Sequence, residues 1–389
     1  MNFSLLAALL AIAPTQVKEG TGPLIVEGNV PIVELELKRL GGGFRKARFA
    51  IDTGGGAFIL GSKLMDEVTK PLGASVQEEG EQFVRLAMPT AQFQGLTLDL
   101  AGVQIVGVPG HVRALPRNDV EGLIPGCLLR KYDVVFDYPG RRFTLGAPGT
   151  LAHSGKPLKI SIGKRNGFPR IETEIAGKTY GFLLDTGGSY TMLTEPLVKE
   201  FAKPVTPTTG AVGFANMFGG SAEASALMTR IAEVKLGDDV LTGVGVVSRQ
   251  EGTFEKYMSG MMPAPIVGSI AGNVLRDYRV QIDYAGSTVY LTRAGHSVDA
   301  DQVTVGLVLR GRPSGEFEVS SVSSGADPAV AKAIHAGDIL VSVGNQDLKG
   351  GTLAAAALAL SGDPGTKKRL VLRRDGKTTE FLAPVKQIL

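Results

Sequence analysis

Two short segments of this chain carry an aspartate from an apolar run into a glycine turn. They are Phe49-Ala50-Ile51-Asp52-Thr53-Gly54-Gly55 and Phe182-Leu183-Leu184-Asp185-Thr186-Gly187-Gly188. A carboxylate at such a point sits on a rigid strand end and faces backbone N–H donors. Gly54 and Gly187 let the turn approach the carboxylate where a Cβ would obstruct it. Thr53 and Thr186 are stiff, β-branched residues whose hydroxyls can tie one turn to a neighbouring loop. If a pseudo-two-fold axis brings Asp52 and Asp185 together, the two cannot both ionise easily and share a proton. One then acts as base on a water and the other as acid toward a carbonyl oxygen, which hydrolyses an amide without a metal, a cofactor or a covalent nucleophile.

The elements that position these turns are themselves repeated. Around the aspartates the offset between copies is 133 residues, and it holds for Leu60 with Leu193 and Lys70-Pro71 with Lys203-Pro204. A second block, Gly122-Leu123-Ile124-Pro125-Gly126-Cys127-Leu128-Leu129-Arg130-Lys131-Tyr132, parallels residues 268–278 at an offset of 146, and Asp137-Tyr138 matches Asp283-Tyr284. Thirteen extra residues therefore fall in the middle of the second copy. Period-two alternation predicts strands over 33–37, 142–145 and 288–291, and Asp-Tyr-Pro-Gly and Asp-Tyr-Ala-Gly predict turns feeding the last strand of each copy. Helices are expected over 62–70 and 195–203. Residues 146–150 read as a linker, and 293–302 as a second one.

The last 87 residues have a different texture: short strands, a helix over 327–334, a Gly337-Asp338-Ile339-Leu340 turn and an Ala-rich helix over 353–360. This stretch resembles a PDZ domain of the bacterial-protease type. At 25–292 the chain resembles the retropepsin-like bacterial branch of the aspartic proteases, on both Asp-Thr-Gly turns and both Gly-x-x-x-Gly-x-x-Leu-Arg-x-Tyr blocks. The resemblance implies a mainly β protein, a duplicated two-lobe aspartic-protease fold followed by a PDZ-like β-sandwich with two helices. Its catalytic pair maps onto Asp52 and Asp185, and its turn supports onto Thr53, Gly54, Thr186 and Gly187. There are departures: Gly55 and Gly188 stand where the family has Ser or Ala, Gly56 stands opposite Ser189, and Pro125 and Ala271 occupy positions where the family has glycine. Ile266-Val267-Gly268 offers a competing register for the second block. A flap is expected at 210–220, between glycine hinges, with Phe214 and Phe218 as lids, and 77–90 is its counterpart in the first copy. In the PDZ segment, Gly306, Leu307, Val308 and Leu309 are expected to receive a peptide carboxylate, beside helix 353–360. The chain's own apolar end, Gln387-Ile388-Leu389, is a candidate for a neighbour's groove.

Expected boundaries are 1–22 for a signal peptide or N-terminal segment, 23–148 and 149–294 for the two lobes, and 300–389 for the PDZ domain. Composition limits the alternatives. A 389-residue chain with 41 basic and 38 acidic residues has too weak a field to suggest a nucleic-acid partner. Leu5 to Ala13 is too short to span a bilayer but fits the apolar core of a signal peptide, with Ala11-Ile12-Ala13 as a cleavage site. A periplasmic or secreted location is the expectation, with an uncleaved anchor as the alternative. Cys127 reads as a buried thiol, and His111, His153, His296 and His335 lack metal-ligand spacing. Ser161-Ile162-Gly163-Lys164 lies in a strand-and-turn context that does not suit a nucleophile. The sequence thus points to a monomeric endopeptidase acting on polypeptides, with a PDZ domain that captures apolar C-termini. The competing reading is an inactive protease fold that works as a PDZ-based scaffold.

Overall fold

The computed structural model describes residues 18–78, 81–108, 120–217, 219–295 and 302–389. The chain is mostly β, and its sheets repeat the duplication read from the sequence. In the first lobe, Val30–Lys38, Phe44–Asp52, Gly122–Pro125, Phe58–Gly61, Ile105–Val108, Glu81–Leu86 and Pro71–Glu78 lie side by side. In the second, Pro169–Ile175, Lys178–Leu184, Gly268–Ile270, Met192–Thr194, Asp239–Arg249, Leu227–Leu236 and Thr208–Thr209 follow in the same order. A further pairing of Glu174 with Lys235 curls the second sheet onto itself.

Each aspartate strand runs parallel to the strand of the second repeated block. Ile51 is opposite Ile124 and Leu184 opposite Ile270, so the competing register through Ile266 is excluded. Gly122 and Gly268 are required by this packing. A Cβ at Gly122 would lie 2.3 Å from the Phe49 ring, and one at Gly268 would lie 2.1 Å from the Met192 carbonyl oxygen. The final hairpins of both lobes join in one six-stranded sheet, with Asp133–Asp137 antiparallel to Tyr278–Asp283. Their turns are built alike: Asp137 Oδ1 accepts from Gly140 N–H at 2.8 Å, and Asp283 Oδ1 from Gly286 N–H at 2.7 Å. Glu19–Pro23 pairs with Arg142–Gly146 at the edge of this sheet, so residues 19–22 belong to a strand. Of the rest of the expected signal segment, Lys18 is described and 1–17 lies outside the described residues. Among the described residues no helix is long and apolar enough to cross a membrane.

One apolar core runs through both lobes and the shared sheet, with Phe49, Phe136, Phe143, Phe182 and Tyr278 fully enclosed. The C-terminal segment has its own core around Leu307, Val319, Leu340, Leu353 and Leu370. Its helices span Pro328–Ala333 and Leu353–Leu360. The first is capped by Asp327 and the second by Thr352, each accepting from a backbone N–H inside the helix. Arg374 binds both oxygens of buried Asp338 at 2.6 and 2.7 Å and holds the Gly337 turn, where φ is +93°.

Candidate active site

The two aspartate turns meet at the interface between the lobes. Thr53 N–H donates to Thr186 Oγ1 at 3.1 Å, and Thr186 N–H donates to Thr53 Oγ1 at 3.0 Å. Each hydroxyl then donates across to the opposite strand, Thr53 to the Leu184 carbonyl at 2.5 Å and Thr186 to the Ile51 carbonyl at 2.8 Å. Both threonines are fully buried. Four bonds thus lock the turns in mutual register, and neither hydroxyl has an apolar substitute that would leave its partners satisfied.

This lock places Asp52 beside Asp185. Asp52 Oδ1 accepts from Gly54 N–H at 2.8 Å, and Asp185 Oδ1 from Gly188 N–H at 3.0 Å. The glycines are structural necessities here. A Cβ at Gly187 would lie 2.3 Å from Asp52 Cγ, and one at Gly54 would lie 2.9 Å from a Leu183 methyl. Burial is the main cause that pushes both carboxyls above the usual aspartate range, and for Asp52 the neighbouring Asp185 charge adds to it.

The pair is not symmetric. Asp185 is also eased by the Ser269 hydroxyl and the Arg249 guanidinium, which favour its charged form. Ser269 is fully buried, and its hydroxyl makes no hydrogen bond among the described residues, so it acts on Asp185 as a nearby dipole. At the equivalent place in the first lobe stands Leu123, whose methyl lies 2.9 Å from where a Gly55 Cβ would be. Asp185 therefore has two neighbours favouring its charged form that do not act on Asp52. Arg249 in turn faces buried Glu223 at 3.4 Å. Sequence reasoning missed Ser269, Arg249 and Glu223. The available signal was the Leu123-to-Ser269 exchange in the repeat, a polar residue where a buried strand demands an apolar one.

The remaining candidates fall elsewhere. Cys127 is half-buried, its thiol donates to the Gly56 carbonyl at 3.3 Å, and burial pushes its pKa up. His153 stacks on Tyr290 and faces Asp283 at 3.6 Å. His111 and His296 lie outside the described residues. No cluster of three or more metal-ligating side chains occurs among the described residues.

The flap expectation needs correction. The hairpin at this topological position is Pro71–Glu78 with Glu81–Leu86 of the first lobe. Among the described residues, 210–220 forms no hairpin of its own but belongs to the long connection between Thr208–Thr209 and Leu227–Leu236, which pair antiparallel. Gly213–Ala215 is a single tight turn, and Phe214 packs against the apolar cluster that holds Ala211, Val212 and Val308. Phe218 lies outside the described residues. The physical reason is a competing partner, the C-terminal domain, which offers this stretch an apolar face. In the PDZ segment, Leu307, Val308 and Leu309 are buried, and Val308 packs on the second lobe. Gly306 adopts φ +93°, with Ala326 packed against it. The chain's own end packs within the same chain. Ile388 lies in the same apolar cluster, and Arg230 donates to the Leu389 oxygen at 2.9 Å.

The aspartyl protease family model matches residues 171–269, and the PDZ domain model matches 297–372. The chain carries a retropepsin-like aspartyl protease domain and a C-terminal PDZ domain. Two solved structures show short likenesses to it. One is the photosystem II D1 C-terminal processing protease, 22% identical over 22% of this chain and 24% of that one, with a TM-score of 0.21. The other is the PDZ domain of a carboxy-terminal protease from Vibrio cholerae in complex with peptide, 22% identical over 22% of this chain and 94% of that one, with a TM-score of 0.20. This chain thus spans about a quarter of the processing protease's length. No curated protein matches this chain.

Proposed function

We propose that this aspartyl protease-like, PDZ-containing chain is an aspartic endopeptidase whose catalytic pair is Asp52 and Asp185. The observation that carries the reading is the reciprocal threonine lock, which sets two carboxyls side by side, both pushed above the usual aspartate range. Ionised Asp185 takes a proton from a water as that water attacks the scissile carbonyl carbon. Protonated Asp52 gives its proton to the carbonyl oxygen, producing a neutral tetrahedral diol. Collapse returns the diol proton to Asp52, while Asp185 delivers its proton to the departing amine. The water's oxygen stays on the new carboxyl group and the pair ends as it began.

Both acids come from one chain, so the catalytic unit is a monomer in this reading. The substrates are polypeptides, and the PDZ domain supplies a second peptide-binding surface. Export to the periplasm or medium belongs to the same proposal and rests on the apolar run from Leu5 to Ala13.

The test is cleavage of a peptide library, with and without a hydroxyethylene isostere of the tetrahedral intermediate. Cleavage abolished by the isostere and by Asp185→Asn supports the reading. Cleavage that survives both, or no cleavage by the intact chain, overturns it and favours the scaffold alternative.

A further inference from the structure

The PDZ domain's peptide groove already has an occupant. In this fold a peptide adds as a strand along the free edge of Leu307–Gly311, opposite helix Leu353–Leu360. That strand is the edge of its sheet, paired only with Phe317–Val322. Its outward Leu309 carbonyl accepts from the buried Asn216 side-chain amide at 2.7 Å. Asn216 Oδ1 accepts from Gly219 N–H at 3.2 Å, so its side chain is held from both ends. The turn Gly213–Ala215 packs against helix Leu353–Leu360, and Val308 lies against Gly210 in the apolar cluster that holds Ala211 and Val212. Upstream, Thr209 exchanges bonds with Ser324, accepting from its N–H at 2.9 Å and donating its own N–H to Ser324 Oγ at 2.8 Å. A side-chain amide thus takes the place of a ladder rung that an added strand would supply.

This occupant is the part of the second lobe that exceeds the first. Cross-strand register makes Ile59, Val106 and Arg85 equivalent to Met192, Val247 and Met228. The path from Ile59 to Arg85 is 26 residues and that from Met192 to Met228 is 36, an excess of ten. The segment also reaches the catalytic turn. The Phe214 carbonyl accepts from Ser189 Oγ at 2.6 Å, and Ser189 follows Asp185-Thr186-Gly187-Gly188 directly.

We propose that residues 211–217 are an internal, displaceable ligand of the PDZ groove, and that a polypeptide ending in a free apolar C-terminus competes with them for the Leu307–Gly311 edge. Capture of that partner frees the segment and removes the Phe214 anchor from Ser189, which couples the groove to the catalytic turn. The inference rests on reading the PDZ domain as a peptide-binding module; the chemistry of the aspartate pair does not enter it. Because the groove must first be vacated, the apparent affinity is the intrinsic one reduced by the open fraction.

The experiment uses the full chain carrying Asp52→Asn, so that the probe is not consumed. The probe is a short acetylated peptide ending in Ala-Val-Leu, as the free acid and as the amide. Binding is read by fluorescence anisotropy and backbone opening by amide hydrogen exchange. Free-acid peptide is expected to slow exchange in 307–311, to speed it in 211–217 and to speed it in 188–190. Adding Asn216→Ala is expected to tighten free-acid binding by about threefold to tenfold, the worth of one lost competing hydrogen bond. Binding that protects 307–311 while leaving 211–217 unchanged would overturn the competition alone. Failure of the peptide to bind with or without Asn216→Ala would overturn the peptide-module reading and the inference with it.

Discussion

The two lobes share strand order, turn chemistry and a carboxylate each, yet they treat one position in opposite ways. Between the helix Ser62–Val68 and strand Glu81–Leu86, the first lobe continues as a β-hairpin. Between Glu195–Phe201 and Leu227–Leu236, the second lobe carries a longer segment that leaves the sheet and lies on the PDZ domain. The comparison teaches where duplication constrains and where it does not. The threonine lock tolerates no asymmetry, because each hydroxyl serves the other lobe. The connection after the helix is answerable only to what packs on it.

The comparison can be broken most severely at the acids. Asp52→Asn and Asp185→Asn are each expected to lower peptide turnover on the order of 10²–10⁴-fold, with the double variant scarcely worse, since acid and base act as a unit. Near-normal turnover in either single variant would show that the lobes do not contribute equally.

The next test concerns the lock. Thr53→Ala and Thr186→Ala each orphan a buried N–H and a buried carbonyl, so each is expected to cost about 2–4 kcal/mol in urea unfolding. The two losses should agree closely. A silent change in one lobe would mean that the reciprocal bonds do not hold the turns.

A smaller effect is expected from pH. A carboxyl whose folded pKa is raised contributes stability fully below the unfolded pKa and loses it as pH rises through the folded pKa. For Asp52 that loss falls on the alkaline side of the ordinary aspartate range. Asp52→Asn should therefore raise the melting temperature near pH 8 and change it little near pH 4. Asp338 has the opposite sign, because Arg374 holds its carboxyl below the usual range. Its contribution is present above the unfolded pKa and fades as pH falls through the folded one. Melting of the Asp338→Asn variant compared with the parent should converge in acid, and a gap that widened there would contradict the ion-pair account.

The smallest expected effect sharpens the symmetry. Asp137→Ala and Asp283→Ala each remove one turn-closing bond to a glycine N–H. Each should cost about 0.5–1.5 kcal/mol in the same unfolding experiment, and a large difference would show that the matched turns carry unequal load.

Much of the architecture was legible because it is local or repeated. The strands through Asp52 and Asp185, both short helices after them, the Asp-Tyr turns and the Leu353–Leu360 helix follow from periodicity and turn residues that act over a few positions. Repetition then supplied a long-range relation, the meeting of two turns about a common axis, that no single copy could have supplied. The thirteen-residue surplus was countable as well, but not that ten of those residues fall between Met192 and Met228, or where they lie. Whether 210–220 closes as a hairpin or lies along another domain depends on which apolar surface it meets, and Val308, Leu309 and helix 353–360 stand 88 to 150 residues away in sequence. The same holds for Ser269 and Arg249 beside Asp185, because a hydroxyl or guanidinium acts on a carboxylate through distance in space. The sequence by itself determined the two acids, their turns and the order of the domains; tertiary packing decided which groups surround each acid and which surface the 210–220 connection meets.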